Sequence, residues 1–249
     1  MSGHSKWATI KHKKGALDAK RGNLWSKVSR EITIAAKMGG GNPDENPRLR
    51  LALAKAKQAN MPKDNIDRGI KKGTGELEGV SFEDIAYEGY APGGVSLMID
   101  VTSDNKNRTA AEIRSILTKH GGNMAEKGAV AWGFDKKALF TIDATKYNED
   151  DVMAVVLDAG AEDLVKEGEV YSVTGPVEIF ADLLDALKAK NIETISADVT
   201  RIPKNTTKVT GNDVSKVLKL IDMLEAHDDV QTVSANFDIS DEDLAKVQE

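Results

Sequence analysis

Two periodicities alternate in a fixed order between residues 138 and 201. Short apolar runs typical of strands alternate with amphipathic segments at helical spacing, in the order strand (138–143), helix (149–159), strand (161–165), strand (169–173), helix (177–190) and strand (192–201). This β-α-β-β-α-β order predicts a ferredoxin-like domain, which is an antiparallel sheet with two helices on one face. The residues on either side must then belong to other parts of the fold.

The flanking segments complete each other. Strand-like runs at 87–91 and 95–102 surround the turn Pro92-Gly93-Gly94, and a helix at 109–120 and a strand at 129–134 follow. This set lacks one helix and one strand, and the tail supplies both at 214–224 and 230–237. We therefore predict a discontinuous α/β middle domain, residues 80–134 plus 205–249, interrupted by an inserted ferredoxin-like domain at 135–204.

Residues 1–79 predict a small helical domain. A basic arm leads into an amphipathic helix from about Leu17 to Met38, which a run of three glycines ends. Asn46 caps a second helix that begins at Pro47, and a third segment follows Pro62. The predicted fold class is α+β with three domains.

Positive charge is concentrated at one end of an acidic chain. Residues 1–75 contain 12 Lys and 5 Arg against 6 Asp and Glu, a net of +11, whereas the remaining residues carry −17 and the whole chain −6. A segregated basic module is typical of a protein that binds a polyanion. The acidic body would repel the same polyanion, so we expect contact to be confined to the N-terminal domain.

The candidate contacts lie on the arm and on the outward faces of the helices. Phosphates require mobile cations, and an aromatic ring among them can stack on an exposed base. The predicted nucleic-acid-binding residues are Lys6, Trp7, Lys11, His12, Lys13, Lys14, Lys20, Arg21, Lys27, Arg30, Lys37, Arg48, Arg50, Lys71 and Lys72. Trp7 also fits burial against the helices. Because the face is dominated by Lys, with few Asn or Gln, it favours phosphate contact over the reading of base edges.

Other kinds of function find less support in the sequence. Asp100, Asp104 and Glu112 fit a metal-dependent nuclease, but carboxylates at a strand end and a helix start are typical caps and turn formers. The four His are scattered and Cys is absent, so we predict no metal, no cofactor and no catalytic residues. Burial against the second helix explains the apolar face of the first helix, so no membrane contact is predicted. We expect a cytoplasmic protein.

Three separated motifs carry a resemblance to a known family. They are GHSKWATIKHKKGALDAKRG at residues 3–22, YEGYAPGG at 87–94 and GAVAWGF at 128–134. In this order they resemble the YebC family of bacterial regulatory proteins, to which the mitochondrial translational activator of cytochrome oxidase belongs. The resemblance implies a helical domain and two α/β domains, one inserted in the other. It also implies regulation of gene expression without catalytic residues.

Two targets remain open at this point. The family's usual assignment implies a DNA-binding transcriptional regulator. A Lys-rich surface that recognises shape and phosphate favours instead a translation factor seated on ribosomal RNA, because promoter selection requires base readout.

Overall fold

The computed structural model describes residues 21–79 and 81–248 of the 249-residue chain. Its first part is helical, as predicted. Apolar side chains at helical spacing bury one face of each helix, and Pro47 at the first position of the second helix suits its start. The helices are α1 (Arg21–Gly39), α2 (Pro47–Gln58) and α3 (Lys63–Thr74).

The middle sheet combines strands from both sides of the inserted segment. A tight turn at Pro92–Gly94 pairs the first two strands antiparallel, and a strand from the tail lies beside the second of them. In spatial order the four strands are β3, β1, β2 and β9. The elements are β1 (Glu83–Ala91), β2 (Val95–Ser103), α4 (Lys106–Lys119), β3 (Asn123–Ala125), α7 (Asn212–Glu225) and β9 (Val230–Ala235).

The inserted segment contains the predicted β-α-β-β-α-β order. Its four strands lie in the order β5, β6, β4, β7, and each neighbouring pair of strands is antiparallel. Phe140 of the sheet stacks on Phe180 of the second helix, with ring centroids 4.9 Å apart. The elements are β4 (Phe134–Asp143), α5 (Glu149–Asp158), β5 (Asp163–Glu167), β6 (Val170–Gly175), α6 (Phe180–Ala189) and β7 (Thr194–Pro203).

The remaining described elements are short. They are strands β8 (Thr207–Lys208) and β10 (Phe237–Asp238) and helix α8 (Asp241–Gln248). The described residues fall into two compact units: residues 21–79, 81–131, 207–233 and 239–248 form one, and 132–206 with 234–238 form the other. Within the described ranges, no helix combines the length and apolar character required to cross a bilayer.

The predicted strand at 129–134 is wrong. Residues 127–130 form a turn and bend, Ala131–Gly133 is a short 3₁₀ helix, and β4 begins at Phe134. The cause is the buried carboxylate of Glu88, which accepts hydrogen bonds from the amides of Gly128, Val130 and Ala131 at 2.6, 2.7 and 2.9 Å. Because these amides point at one side chain, they do not take part in a strand ladder.

Candidate nucleic-acid interface

Close packing of α3 on α1 fixes the helical domain. A Cβ added at Gly73 would lie 2.3 Å from the carbonyl oxygen of Thr33, so only glycine permits this crossing. The core between the helices contains Val28, Ile32, Ala35, Leu49, Ala52, Ala56 and Met61. The half-buried Trp25 packs against it and donates from Nε1 to the carbonyl of Ala59 at 2.9 Å.

Asn46 joins the end of α1 to the start of α2. Its side-chain oxygen accepts from the amide of Leu49 at 3.1 Å, as expected of an N-cap. Its amide nitrogen donates to the carbonyls of Ala35 and Gly40, both at 2.8 Å. One buried side chain thus satisfies backbone groups at the ends of two helices and fixes their relative direction.

The basic face of α1 lies against the middle domain. Lys27 donates to the carbonyl of Glu225 at the end of α7 at 2.6 Å, and Lys37 donates to Ser81 Oγ at 2.6 Å. Arg30 donates to the carbonyl of Asp228, pairs with Asp229 at 2.9 Å, and lies over the ring of Phe82 at 5.7 Å. These cations, predicted from helical spacing to face solvent, are engaged within the protein.

Asp229 is the centre of this contact. Its side chain is 4% exposed and accepts hydrogen bonds from Thr109 at 2.5 Å, from Arg108 at 2.8 Å and from Ser103 at 3.1 Å. Burial alone would raise the pKa of Asp229, but these bonds and the charge of Arg30 outweigh it and lower the pKa. The carboxylate therefore stays ionised under neutral conditions and holds both arginines.

Arg48 makes a second tie between the helical and middle domains. Its guanidinium binds both oxygens of Glu31 on α1 and forms an ion pair with Asp84 of β1 at 2.6 Å. Burial alone would lower the pKa of Arg48. Its hydrogen bonds to Glu31 and Asp84 outweigh burial, so the pKa of Arg48 is raised above its ordinary value. Two carboxylates thus neutralise Arg48, the fourth predicted phosphate contact that is engaged within the protein.

A different set of cations is exposed. Among the described residues of the helical domain, five exposed basic side chains have no hydrogen-bond or ion-pair partner in the described part of the chain: Lys57, Lys63, Arg68, Lys71 and Lys72. On α3, Arg68, Lys71 and Lys72 lie within about 100° of arc, on the side away from Gly69 and Gly73. Asp64 and Asp67 lie nearer the start of α3, so its C-terminal end is the basic end.

The remaining predicted site residues divide into two groups. Arg50 is exposed and makes long hydrogen bonds to the carbonyls of Pro43 and Asp44, at 3.3 and 3.4 Å. Lys6, Trp7, Lys11, His12, Lys13, Lys14 and Lys20 lie outside the described residues, as does the side chain of Arg21. Sequence reasoning missed Lys57, Lys63 and Arg68 as candidates, although helical spacing places Arg68 beside Lys71.

The fold also joins acidic residues that the sequence separates. Within the described ranges, Glu112, His227 and Asp229 offer ligand atoms that lie within 4.8 Å of one another. His227 Nδ1 accepts from the amide of Asp229 at 3.1 Å, so Nε2 carries the proton and donates to Glu112 at 2.9 Å. Arg30 and Arg108 balance the charge of Asp229, and a metal ion would have to displace one of them.

Of the three carboxylates considered for a nuclease, only Glu112 belongs to that group. Asp104 pairs with Arg108 at 2.8 Å, and Glu112 accepts a hydrogen bond from His227. Neither Asp100 nor Asp104 belongs to the group that could hold a metal. The fold therefore does not gather Asp100, Asp104 and Glu112, the carboxylates of the nuclease alternative, into one group of possible metal ligands.

The fold and the cationic surface together define an α+β protein with a basic helical domain ahead of two sheet-containing domains. Residues 5–76 match the model of the TACO1/YebC protein N-terminal domain, and residues 82–237 match that of the TACO1/YebC second and third domain. The chain belongs to the TACO1/YebC family.

Similar proteins extend over nearly the whole chain. A protein of Brachyspira hyodysenteriae named probable transcriptional regulatory protein is 56% identical over 97% of this chain and 98% of its own length. A protein of the same name from Dictyoglomus turgidum is 55% identical over 98% of each chain. The crystal structure of a conserved hypothetical protein from Aquifex aeolicus is 44% identical, with a TM-score of 0.82 over 90% of this chain and 93% of that one.

Proposed function

We propose that this protein is a non-enzymatic, nucleic-acid-binding regulator of gene expression that docks on phosphates through its N-terminal helical domain. The observation that carries the proposal is the set of exposed cations on α2 and α3 that have no ion-pair partner among the described residues, in a chain whose other domains are acidic. The names of its relatives, probable transcriptional regulatory protein, support a role in regulation. The expected location is the cytoplasm.

The docking surface comprises the end of α2, the first residue of α3 and the basic C-terminal end of α3. Lys57, Lys63, Arg68, Lys71 and Lys72 are available without breaking an ion pair to another described residue. The Lys-rich arm, with Lys6, Lys11, Lys13, Lys14 and Lys20, adds charge from the same domain. Phosphate contacts of this kind fix position and supply affinity while carrying no sequence information.

Two targets agree with such a surface. Duplex DNA is the target that the names of the relatives favour. The composition of the exposed surface favours ribosomal RNA, with the protein acting as a translation factor. The surface has four Lys and one Arg, and such a set favours contact with phosphates over contact with base edges.

Co-sedimentation with ribosomes at physiological salt separates the two targets. The full chain is compared with the charge-reversed variant Lys71→Glu/Lys72→Glu, with excess duplex DNA as competitor. A translation factor pellets with ribosomes despite the DNA, and the variant pellets less. A transcriptional regulator stays in the supernatant and binds the duplex. Failure of the full chain to bind either polymer contradicts the proposed function.

A further inference from the structure

The middle domain concentrates its positive charge in one segment. Residues 81–105 contain five Asp and Glu and no Lys or Arg, whereas residues 106–127 contain five Lys and Arg against two Glu. Residues 205–248 of the same domain contain nine Asp and Glu against four Lys. Helix α4 and the segment that follows it are therefore the basic part of an otherwise acidic domain, and the part that attracts a polyanion.

One face of α4 presents cations beside hydroxyl groups. A shallow depression of about 460 Å³ on this face is lined by Ala111, Arg114, Ser115, Thr118 and Lys119. These positions follow the i, i+3, i+4, i+7 spacing of a single helix face. The buried residues of α4 lie on the opposite side, so this face is turned to solvent.

The polar groups of this face are available to a ligand. Arg114 is exposed, and its guanidinium contacts Sδ of Met124 on β3 at 3.7 Å, a weak contact that leaves its other N–H groups free to donate. Lys119 is exposed in the last turn of α4 and has no ion-pair partner in the described part of the chain. The hydroxyls of Ser115 and Thr118 likewise have no hydrogen-bond partner among the described residues.

The acidic residue of α4 does not neutralise these cations. Glu112 accepts a hydrogen bond from His227 Nε2 at 2.9 Å and lies 3.9 Å from Arg108. Arg108 in turn is bound by Asp104 and Asp229, both at 2.8 Å. Positive charge is thus in excess at the C-terminal end of α4.

This helix is also tied to the helical domain. Asp229 binds Arg108 of α4 and pairs with Arg30 of α1 at 2.9 Å. The close approach of Gly73 to Thr33 joins α1 to α3. The basic end of α3 and the basic face of α4 therefore belong to one compact unit, so a polymer held by the first is kept near the second.

We propose that this face of α4 is a second phosphate contact, in which Arg114 and Lys119 neutralise phosphates of the nucleic acid held by α2 and α3, and Ser115 and Thr118 donate to phosphate oxygens. The inference rests on the proposed function and extends the docking surface into the middle domain. Guanidinium, ammonium and hydroxyl groups are the usual side-chain donors to phosphate. A protein partner would require an apolar or aromatic anchor, and none of the exposed large hydrophobic residues among those described lies on α4.

Reversal of charge on α4 tests the contact in the full chain. The probes are a duplex DNA of about 30 base pairs and a duplex RNA of the same sequence, each titrated between about 50 and 200 mM salt. Arg114→Glu/Lys119→Glu should lower the slope of log affinity against log salt by about 1.8, so that the natural chain loses about twelvefold more affinity over this range than the variant. The exchange Arg114→Lys/Lys119→Arg keeps both charges and should keep the slope. A lowered slope supports the contact, and the duplex on which it is seen identifies the polymer.

A matched change elsewhere in the domain is the control. Lys216→Glu/Lys219→Glu alters the charge by the same amount on exposed residues of α7 and should keep the natural slope. Urea unfolding verifies that each variant is folded. If the reversed charges destabilise α4, Arg114→Gln/Lys119→Gln takes their place with the same expected change of slope.

The outcomes separate the two proposals. A natural slope in the α4 variant overturns the inference, and a face that serves an acidic protein would give this result. An equal reduction in the α4 and α7 variants also overturns it, because the effect would then follow overall charge. Lys71→Glu/Lys72→Glu is measured in parallel: a natural slope there overturns docking through α2 and α3, while the α4 variant still reports on the second contact.

Discussion

The guanidinium of Arg30 lies 2.9 Å from Oδ1 of Asp229, a residue 199 positions away in the sequence. The pair ties α1 of the helical domain to the segment that leads into β9 of the middle sheet. A cation that helical periodicity assigns to the solvent-facing side is therefore a structural contact. This relationship separates cations that stabilise the fold from cations that are available to a ligand.

Removal of the Arg30 charge should lower stability and leave binding unchanged. Arg30→Met keeps the apolar stem but loses the bonds to Asp228 and Asp229, so the free energy of unfolding should fall by about 1–3 kcal/mol. Lys71→Met is the matched control, because Lys71 is exposed and should change stability by less than about 0.5 kcal/mol while weakening nucleic-acid affinity. Urea unfolding and a binding titration measure both quantities. The reverse pattern would contradict the division of the cations.

The ionisation of Asp229 should make stability fall in acid. Its pKa is lowered in the folded state, so its contribution is complete above about pH 4 and is lost as the pH drops through the folded pKa. Asp229→Asn should therefore cost about 2 kcal/mol at neutral pH, and its difference from the natural protein should shrink below about pH 4. Unfolding at pH 7, 5 and 3 provides the measurement. A difference that stays constant down to pH 3 would rule out the ionised network.

The crossing of α1 and α3 should not tolerate a methyl group. Gly73→Ala places a Cβ against the carbonyl of Thr33 and the Cβ of Ala36, so the free energy of unfolding should fall by about 1–3 kcal/mol or more. Gly133→Ala is the control, since a Cβ there meets nothing within 4 Å. Thermal unfolding of both variants is the measurement, and equal stabilities would show that the helices separate at little cost.

The loop before Trp132 should depend on one carboxylate. Glu88→Gln keeps one acceptor oxygen, so its NH2 group must face either the amide of Gly128 or the amides of Val130 and Ala131, which then lose their acceptor. Hydrogen exchange should therefore accelerate by at least about tenfold at Gly128 or at both Val130 and Ala131. Glu126→Gln, an exposed change in the same loop, should leave exchange unaltered. Unaltered exchange in Glu88→Gln would mean that the loop is held by other contacts.

Much of the architecture follows from local pattern. The β-α-β-β-α-β order, the helical start of the chain and the return of the tail to the middle sheet are visible because apolar periodicity, Pro and Gly mark the elements. The strand predicted at 129–134 failed because its amides bind Glu88, a residue about 40 positions away.

The candidate site was less predictable for the same physical reason. Helical spacing indicates that Lys27, Arg30 and Lys37 share a face, but it does not show that Glu225, Asp229 and Ser81 lie opposite them. The cluster of Glu112, His227 and Asp229 was also not predicted, because Glu112 lies more than 100 positions from the other two residues in the sequence. Separating the engaged cations from the exposed ones required the packed structure.

The salt dependence of nucleic-acid binding tests the central claim most directly. The natural chain should lose roughly a thousandfold in affinity between about 50 and 200 mM salt if it neutralises about six phosphates. Lys71→Glu/Lys72→Glu should weaken binding and reduce the slope of log affinity against log salt by about 1.8 for a duplex. Lys188→Glu/Lys190→Glu, an equal change of charge on exposed residues of the acidic domain, should keep the natural slope. A flat salt response, or the same slope in all three proteins, would contradict docking through α2 and α3.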